Sequence, residues 1–409
     1  MRVVRCDGSA EEVAGLADAV ASALDGGPAV LPYERVAPEV GGEPAVGVAL
    51  LIETSGSTGA AKRVMLSSAA LRASAAATHR RLGGPGRWLL ALPAHHVAGV
   101  QVIVRGLLAG HRPVVLDNRA GFRPDGFAAA AALLPADQPR YTSLVPTQLH
   151  RVLTAGQQHG RAPLDALRSF DAVLVGGAAT SDTLLRQARS AGVAVVTTYG
   201  MSETAGGCIY DGQPLDGVRL RFAPATDSAG TAESAAATDS AGAESGRIEL
   251  AGPMLAAGYL GRPELTAELF ADGWFRTSDF GRRDPDGRLR VLGRADDVIT
   301  TGGESVHPAA VERVLTSQPG VRAACVVGVP DAEWGELVAA ALVLDRPAGR
   351  PAPGGAATDA DALRAAVRDE LGAPSVPRRL RFLDEIPLRG IGKPDRGQVA
   401  QLLATHPEI

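Results

Sequence analysis

The apolar and polar positions of the chain fall into three successive patterns. Residues 45–200 alternate between short apolar runs and longer runs with helical spacing, for example a strand at Ala172–Val175 and a helix at Ser181–Ala191. Such alternation is typical of parallel sheets covered by helices. In residues 207–291 helical spacing becomes scarce, and short strands are separated by Gly, Pro and Asp. The pattern predicts an α/β fold in which a large N-terminal domain of helix-covered sheets and a small β-rich subdomain together span residues 1–294.

A compact mixture of helices and strands follows in residues 295–409. The predicted elements are the helices Pro308–Thr316 and Ala360–Leu371 and the strands Ala323–Val329, Leu337–Leu344 and Arg379–Leu383. A segment of this size can bury a core of its own. We therefore predict a separate α+β C-terminal domain.

Two segments lack the large apolar residues that a core requires. The hexapeptide Ala-Thr-Asp-Ser-Ala-Gly occurs at residues 225–230 and again at 237–242. Such a composition cannot offset the entropy of ordering, so a disordered surface insertion is predicted within residues 223–245. Residues 347–358 are rich in Pro, Gly and Ala and predict a second surface loop.

The composition limits the class of protein. The 409 residues carry a formal net charge of −4, which does not favour a nucleic-acid-binding surface. Cys6, Cys208 and Cys325 are unclustered, which indicates a reduced cytoplasmic protein without disulfides or a zinc site. The N-terminus carries charge too early for a signal peptide, and no apolar run could span a bilayer. We expect small-molecule partners, with neither nucleic acid nor membrane, and leave a homodimer open.

A glycine- and hydroxyl-rich loop at Thr54–Lys62 is the first candidate for chemistry. It follows the apolar run Ala45–Glu53 and precedes Val64–Arg81, which predicts a helix with Ser67 and Ser68 as candidate N-caps. Glycines allow successive N–H groups to converge on one anion, hydroxyls add donors, and a lysine supplies positive charge. The spacing excludes a Walker A loop, and a flexible connector is the alternative. The loop predicts a phosphate site formed by Thr54, Ser55, Gly56, Ser57, Thr58, Gly59 and Lys62.

Two predicted strands end in segments that suit ligand binding. The run from Val193 ends in the polar cluster Tyr199-Gly-Met-Ser-Glu-Thr204, and Ala172–Val175 is followed by Gly176-Gly177-Ala178. The carboxyl ends of parallel strands are where α/β folds bind ligands. An ordinary strand-to-helix turn is the alternative for the glycine pair.

Arg105 is one cation in an otherwise apolar stretch. Val97, Gln101 and Arg105 lie on one face of a predicted helix because they are four residues apart. Such an arginine is commonly an ion-pair partner or extends its charged end to solvent. If the side chain faces a pocket, it would instead bind a second carboxylate of the substrate.

Five stretches, in the same order, resemble the motifs of the acyl-adenylate-forming superfamily, which includes acyl-CoA synthetases, adenylation domains and luciferases. They are Thr54–Lys62, Tyr199–Thr204, Gly273–Asp279, Gly293–Pro308 and Pro387–Lys393. The fourth is the most specific, because it matches the pattern Gly-Arg-x-Asp-Asp-x-Ile-x-x-Gly-Gly-Glu-x-Val-x-Pro throughout. The chain departs from the superfamily pattern at Ala61, Arg63 and Ser202, where Pro, Gly and Thr are usual.

The resemblance implies that residues from several motifs bind ATP. Those expected around its adenine and phosphates are Gly176, Gly177, Ala178, Tyr199, Gly200 and Ser202. Glu203 is expected to hold Mg²⁺, and Arg294 to contact ribose or phosphate. Asp279 is expected to accept hydrogen bonds from both ribose hydroxyls, a task that suits the two oxygens of a carboxylate.

The resemblance also implies that the C-terminal domain is mobile. Lys393 would enter the ATP site while the acyl-adenylate forms, and Asp296 would be the hinge residue. Gly302 and Gly303 would line a tunnel for coenzyme A, the cosubstrate. A domain that swings would give the thiol a different opening from the one that the acid uses.

The acyl substrate is indicated by a resemblance within the superfamily. His96 matches the Pro-x-x-His pattern that usually flanks the acyl pocket. The chain is similar to the o-succinylbenzoate–CoA ligases of menaquinone biosynthesis in its short length, in Ser143–His150, and in having an Arg nine residues after the motif His, here Arg105. The resemblance implies that His96, Arg105 and Ser143 contact an aromatic dicarboxylate, and that Lys393, His96 and Glu203 are catalytic.

Three other functions remain open at this point. The chain could be a CoA ligase for another aryl or acyl acid, an adenylation enzyme that loads a carrier protein, or a nucleotide-binding relative without turnover. The presence of a full set of charged motif residues argues against the last of these. They are Lys62, Glu203, Asp279, Arg294 and Lys393.

Overall fold

The computed structural model describes residues 1–39, 41–54, 61–158, 160–223, 244–345, 359–389 and 393–405. The predicted phosphate-loop residues 55–59, most of the predicted insertion at 223–245 and the predicted loop at 347–358 lie outside the described residues.

Eleven α-helices are formed by the described residues, numbered here in chain order. They are α1 (Ala10–Leu24), α2 (Ser68–Arg81), α3 (Val97–Leu108), α4 (Pro124–Ala131), α5 (Pro146–Gln158), α6 (Ala162–Arg168), α7 (Asp182–Ser190), α8 (Pro263–Leu269), α9 (Pro308–Ser317), α10 (Ala360–Leu371) and α11 (Arg396–Ala404). None of them is long and apolar enough to cross a membrane.

The strands before residue 215 form most of two sheets. The first sheet contains β1 (Arg2–Arg5), β2 (Val30–Tyr33), β3 (Val48–Thr54), β4 (Lys62–Ser67) and, from later in the chain, β14 (Gly258–Tyr259). The second has the order β11-β10-β9-β8-β7-β5-β6, from β5 (Arg87–Leu90), β6 (Val114–Val115), β7 (Arg140–Leu144), β8 (Ala172–Val175), β9 (Val195–Met201), β10 (Gly206–Tyr210) and β11 (Gln213–Pro214). From β6 to β9 neighbouring strands of the second sheet run parallel, as the sequence pattern predicts.

Two further sheets and one hairpin complete the fold. The third sheet contains β12 (Arg219–Ala223), β13 (Ser245–Ala251), β15 (Phe270–Ala271), β16 (Trp274–Arg283) and β17 (Leu289–Arg294). The fourth contains β18 (Ile299–Thr301), β19 (Glu304–Val306), β20 (Val321–Asp331), β21 (Gly335–Leu344) and β22 (Arg379–Phe382), and β23 (Leu388–Arg389) pairs with β24 (Lys393–Pro394). The predicted fold class, an α/β N-terminal part with a β-rich subdomain followed by an α+β part, is confirmed.

The loop between Thr54 and Lys62 joins two antiparallel strands, so the strand–loop–helix prediction for this segment is wrong. Thr54 at the end of β3 pairs with Lys62 at the start of β4, and α2 begins only at Ser68. Val64 and Leu66 are both buried on one face of β4, a two-residue period typical of a strand. Six residues with this period are too few to distinguish from the start of the alanine-rich helix that follows.

The two candidate caps of α2 have different roles. The Ser67 hydroxyl is the N-cap and accepts a hydrogen bond from the Ala70 N–H at 3.1 Å. The Ser68 hydroxyl donates to the carbonyl oxygen of Leu24, at the end of α1, at 2.6 Å. The first serine therefore starts the helix, and the second ties it to its neighbour.

Alternating side chains of the second sheet pack into two separate apolar clusters. Trp88 and Leu90 of β5 face one side, where they meet α1, α2 and α3. Leu89 faces the other side, where α4, α5, α6 and α7 cover the sheet. This burial on both faces is the expected arrangement for parallel strands, and it leaves the ends of the strands as the accessible part of the sheet.

The fourth sheet has apolar clusters of its own. On one face its side chains pack with Val311 of α9 and Val367 of α10, and on the other with Val399 of α11. All members of these two clusters follow Asp297 in the chain. The exact division into domains of residues 1–294 and 295–409 stays a prediction.

Candidate active site

The carboxyl edge of the second sheet brings three predicted segments side by side. Ser143 is the penultimate residue of β7, Gly176 follows β8 directly, and Tyr199 lies near the end of β9. The three strands are neighbours in the sheet. Three segments that together extend from Ser143 to Tyr199 therefore share one edge, where α/β folds place their ligands.

Gly176 and Gly200 lie where the neighbouring backbone leaves no room for a side chain. A Cβ atom on Gly176 would lie 2.2 Å from Oγ1 of Thr198, and one on Gly200 would lie 2.1 Å from the carbonyl oxygen of Gly206. Strand packing alone therefore requires glycine at both positions, independently of any contact with a nucleotide.

Tyr199 and Asp279 form a half-buried hydrogen-bonded pair across 80 residues of sequence. The Tyr199 hydroxyl donates to Oδ2 of Asp279 at 2.7 Å. Burial, and then the nearby carboxylate, raise the pKa of Tyr199 well above its usual value. Burial also raises the pKa of Asp279, while the Tyr199 hydrogen bond and the charges of Arg294 and Lys393 oppose that rise. The predicted adenine and ribose contacts thus meet at one place.

Arg294 and Lys393 supply positive charge beside this pair. Arg294 ends β17 opposite Asp279 of β16, and its Nη2 lies 3.1 Å from Oδ2 of Asp296. Lys393 comes from β24, in the C-terminal part of the chain, and is exposed. Its charge opposes the rise that burial causes in the pKa of Asp279, and it contributes to the lowering of the pKa of His96. The entry of Lys393 into the ATP site stays a prediction.

His96 precedes α3 and stays uncharged at neutral pH. Burial, followed by the charges of His95 and Lys393, lowers the pKa of His96 to about 4. The ring centroids of the two histidines are 4.2 Å apart. A neutral imidazole can donate one hydrogen bond and accept another, so His96 can orient a carboxylate or a water molecule without adding charge.

A tyrosine that no sequence motif indicates joins Lys62 to Glu203. The hydroxyl of Tyr259 donates to Oε1 of Glu203 at 2.9 Å, and Nζ of Lys62 lies 5.7 Å from the centroid of the Tyr259 ring. The tyrosine is buried in β14, which pairs with β4. A Gly-Tyr pair before a proline-initiated helix has no charge or spacing that marks it in the sequence. Tyr259 therefore links the cation of one motif to the carboxylate of another.

The ends of the predicted phosphate loop are fixed by hydrogen bonds and an ion pair. Oγ1 of Thr54 donates to the carbonyl oxygen of Lys62 at 3.3 Å. One residue further from the loop on each strand, Nε of Arg63 lies 3.0 Å from Oε2 of Glu53. The pairing of β3 with β4 thus brings Thr54 and Lys62 together, and Lys62 is directed toward Tyr259.

Arg105 is buried without an acidic partner among the described residues. Its Nη2 donates to the Tyr210 hydroxyl at 3.3 Å, its guanidinium carbon lies 5.2 Å from the centroid of the Trp88 ring, and its Nε has no partner. It is 3 % exposed. Burial and the charge of Arg105 lower the pKa of His79 to about 4, so that ring adds no second charge. A guanidinium in such surroundings favours an anion.

The other polar residue on this face of α3 contacts the backbone that follows Glu203. Nε2 of Gln101 donates to the carbonyl oxygen of Ala205 at 2.6 Å, and Oε1 is buried without a partner. The next residue, Gly206, has no side chain to fill the space beside Gln101. The face of α3 that begins near His96 therefore lies beside Ala205 and Gly206, and it continues to Arg105.

The predicted hinge and coenzyme A residues lie in two turns that follow β17. Asp296 lies in the short 3₁₀ turn Ala295–Asp297 between β17 and β18. Gly302 and Gly303 form the turn between β18 and β19, where the Gly302 N–H donates to the carbonyl oxygen of Trp334 at 2.9 Å. The hinge and tunnel roles of these residues stay predictions.

Two family models match the chain. The model described as "AMP-binding enzyme" matches residues 11–260, and the model described as "AMP-binding enzyme C-terminal domain" matches residues 310–393. The first of these covers more than half of the chain and includes Lys62, Tyr199 and Glu203.

Individual relatives have more than one named activity. The chain is 44% identical over 360 residues to a probable 2-succinylbenzoate–CoA ligase of Mycobacterium tuberculosis, covering 87% of this chain and 85% of the relative. It is 35% identical over 364 residues to a feruloyl-CoA synthase of Amycolatopsis sp, covering 86% and 69%. Among solved structures, the amide bond synthetase McbA from Marinactinospora thermotolerans matches with a TM-score of 0.73 at 29% identity, covering 98% of this chain and 79% of McbA.

Proposed function

Because the chain belongs to the AMP-binding enzyme family, and to the acyl-CoA ligases within it, we propose that it makes the CoA thioester of 2-succinylbenzoate, also called o-succinylbenzoate. In the first step a carboxylate oxygen of the acid attacks the α-phosphorus of ATP, and pyrophosphate leaves. In the second step the thiol of coenzyme A attacks the acyl carbon and loses its proton, and AMP leaves. A thioester of this kind would serve menaquinone biosynthesis.

The first step brings two anions together, so the site must supply positive charge and oriented donors. The charges of Arg294 and Lys393 oppose the rise that burial causes in the pKa of Asp279. We assign the Tyr199–Asp279 pair to the adenosine of ATP and Lys393 to the charge that develops around the α-phosphorus. Lys62, at the end of the loop of residues 54–62, would contact the outer phosphates.

The residues around Glu203 fit a magnesium ion that arrives with ATP. The described residues contain no group of three or more His, Cys, Asp or Glu side chains that could hold a metal by themselves. Mg²⁺ is commonly held by one or two carboxylates together with the phosphates of its substrate. The Glu203 carboxylate, oriented by Tyr259, could supply the protein oxygen ligand, and the phosphates of ATP the others. The ion would neutralise part of the phosphate charge.

Substitution of Tyr259 by Phe should weaken metal binding while it preserves the ring beside Lys62. Loss of one hydrogen bond to a charged group is worth about 1.5 kcal/mol, so we expect about a tenfold higher Mg²⁺ requirement for ATP–pyrophosphate exchange. Mn²⁺ binding to the ATP-loaded protein, measured by electron paramagnetic resonance, should weaken in parallel. Tyr259→Leu also removes the ring and should in addition raise the KM for ATP. An unchanged metal affinity in Tyr259→Phe would show that the hydroxyl does not orient Glu203.

One observation carries the choice of a dicarboxylic acid: the buried guanidinium of Arg105 has no carboxylate partner among the described residues. The ring nitrogens Nε1 of Trp88 and Nε2 of His79, close to it, are also buried and have no hydrogen-bond partner in the described part of the chain. A second substrate carboxylate would supply the anion that this group of nitrogens lacks. 2-Succinylbenzoate carries its two carboxylates at opposite ends, so one can react near His96 while the other pairs with Arg105.

The second step requires a different arrangement of the C-terminal domain. The influence of the Lys393 charge on Asp279 and His96 supports an orientation in which this lysine serves the first step. We propose that rotation about Asp296 then removes Lys393 and brings Gly302 and Gly303 to the acyl-adenylate, where they would line the path of the thiol. A short turn can absorb the backbone rotation at Asp296. The lack of side chains at Gly302 and Gly303 leaves room for the thiol.

ATP–pyrophosphate exchange with a panel of acids tests the proposed substrate. The panel contains 2-succinylbenzoate, 3-benzoylpropionate (the same molecule without its ring carboxylate), ferulate and benzoate. We expect exchange with 2-succinylbenzoate to exceed the others by at least about tenfold, as the loss of one buried charge pair predicts. Addition of coenzyme A should then yield the thioester, which a carrier-protein-loading enzyme would not form. Faster exchange with ferulate would favour the activity of the relative from Amycolatopsis.

A further inference from the structure

The strand pair that carries Lys393 is followed by a half-buried arginine, Arg396, that contacts three separate elements. Arg396 is the first residue of α11, three positions after Lys393. Its Nη1 and Nη2 lie 2.7 and 3.2 Å from the two carboxylate oxygens of Glu312 in α9. Its Nε lies 3.3 Å from Oδ2 of Asp297. One guanidinium therefore joins the start of α11 to α9 and to the turn at the hinge.

The partners of Arg396 are themselves fixed. In addition to its two bonds with Glu312, Arg396 donates from Nη1 to the carbonyl oxygen of Val326 in β20. The N–H of Val326 donates to Oε1 of Glu312 at 2.8 Å. The Glu312 side chain is 14% exposed and that of Arg396 is 28% exposed. A bidentate, mostly buried pair of this kind has a defined geometry, unlike a solvent-exposed ion pair.

The backbone between this anchor and Lys393 is short and hydrogen-bonded. Lys393 and Pro394 pair with Leu388 and Arg389, and the Asp395 N–H donates to the carbonyl oxygen of Pro387 at 2.8 Å. The Asp395 side chain accepts from the Gln398 N–H and so caps α11. Because only two residues separate Lys393 from Arg396, a shift of the guanidinium displaces the lysine directly.

From these contacts we propose that Arg396 is a positioning residue for Lys393, holding it at the angle to the hinge turn that adenylate formation requires. It acts through Glu312 and Asp297 and touches no substrate. The inference rests on the proposed function, in which Lys393 serves the first step. It goes further, because the Asp297 contact makes the position of the lysine depend on the conformation of the hinge turn.

The inference separates the two half-reactions. Arg396→Gln removes the charge and the guanidinium but keeps an unbranched polar side chain, and we expect adenylate formation to fall about tenfold to fiftyfold. Thioesterification of a supplied acyl-adenylate, which does not use Lys393, should change by less than about threefold. Glu312→Gln should give the same pattern more weakly, and Arg396→Lys should recover part of the adenylation rate.

Arg313→Gln is the matched control, because Arg313 and Glu370 form an exposed ion pair in the same part of the chain, with a closest separation of 3.0 Å. It should leave both half-reactions within about twofold. Lys393→Ala, assayed in parallel with whichever panel acid supports exchange, distinguishes the two proposals. If Lys393→Ala leaves adenylation intact, the lysine assignment is wrong. If Lys393→Ala abolishes adenylation but Arg396→Gln changes neither half-reaction, or slows both equally, Arg396 is not a positioning residue.

Discussion

Substitution of Lys393 by Ala should reduce adenylate formation by about 10²–10³-fold while leaving thioesterification of a supplied acyl-adenylate within about threefold. Removal of one preorganised charge or donor at a developing negative charge has an effect of this size. The charge of Lys393 opposes the rise in the pKa of Asp279 and contributes to the lowering of the pKa of His96, which supports a role for this lysine in the first step. ATP–pyrophosphate exchange measures the first half-reaction, and thioester formation from synthetic acyl-adenylate and coenzyme A measures the second.

The Lys393→Arg variant is the control for charge against geometry. It keeps the positive charge, but the guanidinium is larger and planar, so we expect adenylation between that of the native enzyme and that of Lys393→Ala. Equal loss of both half-reactions in Lys393→Ala would contradict the proposed swing of the C-terminal domain. It would mean that the lysine contributes to a step common to both.

Substitution of Arg105 by Leu should lower kcat/KM for 2-succinylbenzoate by about 10²–10³-fold. Truncation of one partner of a buried, hydrogen-bonded charge pair typically costs about 2–5 kcal/mol, and each 1.4 kcal/mol is a factor of ten. The same variant should use 3-benzoylpropionate about as well as the native enzyme does, because that acid has no second carboxylate. Steady-state kinetics with the two acids separate loss of carboxylate recognition from a general loss of activity.

The stability of Arg105→Leu provides an independent control. Arg105 is 3 % exposed, and among the described residues its guanidinium has the Tyr210 hydroxyl and the face of the Trp88 ring as partners. Replacement of an uncompensated buried charge by an apolar side chain of similar volume should leave the free energy of unfolding unchanged or raise it. A marked fall in the thermal midpoint would show that Arg105 is a structural residue and would remove the main argument for a dicarboxylate.

The activities of the relatives define what these experiments must separate. The probable 2-succinylbenzoate–CoA ligase and the feruloyl-CoA synthase differ in whether the acid carries a second carboxylate. The amide bond synthetase, by its name, forms a different product. The residues proposed to bind ATP would serve any of these three activities and so do not distinguish them. Arg105 and its surroundings are therefore where this chain's choice of acid is to be sought.

Local sequence predicted much of the fold because its signals act over a few residues. The helix at Ala360–Leu371 lies where its apolar spacing predicts it, and the hydroxyl of Ser67 caps α2 as its position predicts. The segment Lys62–Ser67 was the exception, because a strand of six residues cannot be told from the helix beside it by periodicity alone. The segment forms a strand because it pairs with β3, which lies on the other side of the loop in the chain.

The sequence by itself determined the chemical groups of the candidate site, since Lys62, Tyr199, Glu203, Asp279 and Lys393 are each marked by a motif of a few neighbouring residues. Only the tertiary structure decided which of them meet. The Tyr199–Asp279 hydrogen bond, the link through Tyr259 and the Arg396–Glu312 pair each join residues at least 50 positions apart. Such contacts depend on the register and packing of whole strands and helices, and a shift of one residue in a strand would turn the side chain to the opposite face.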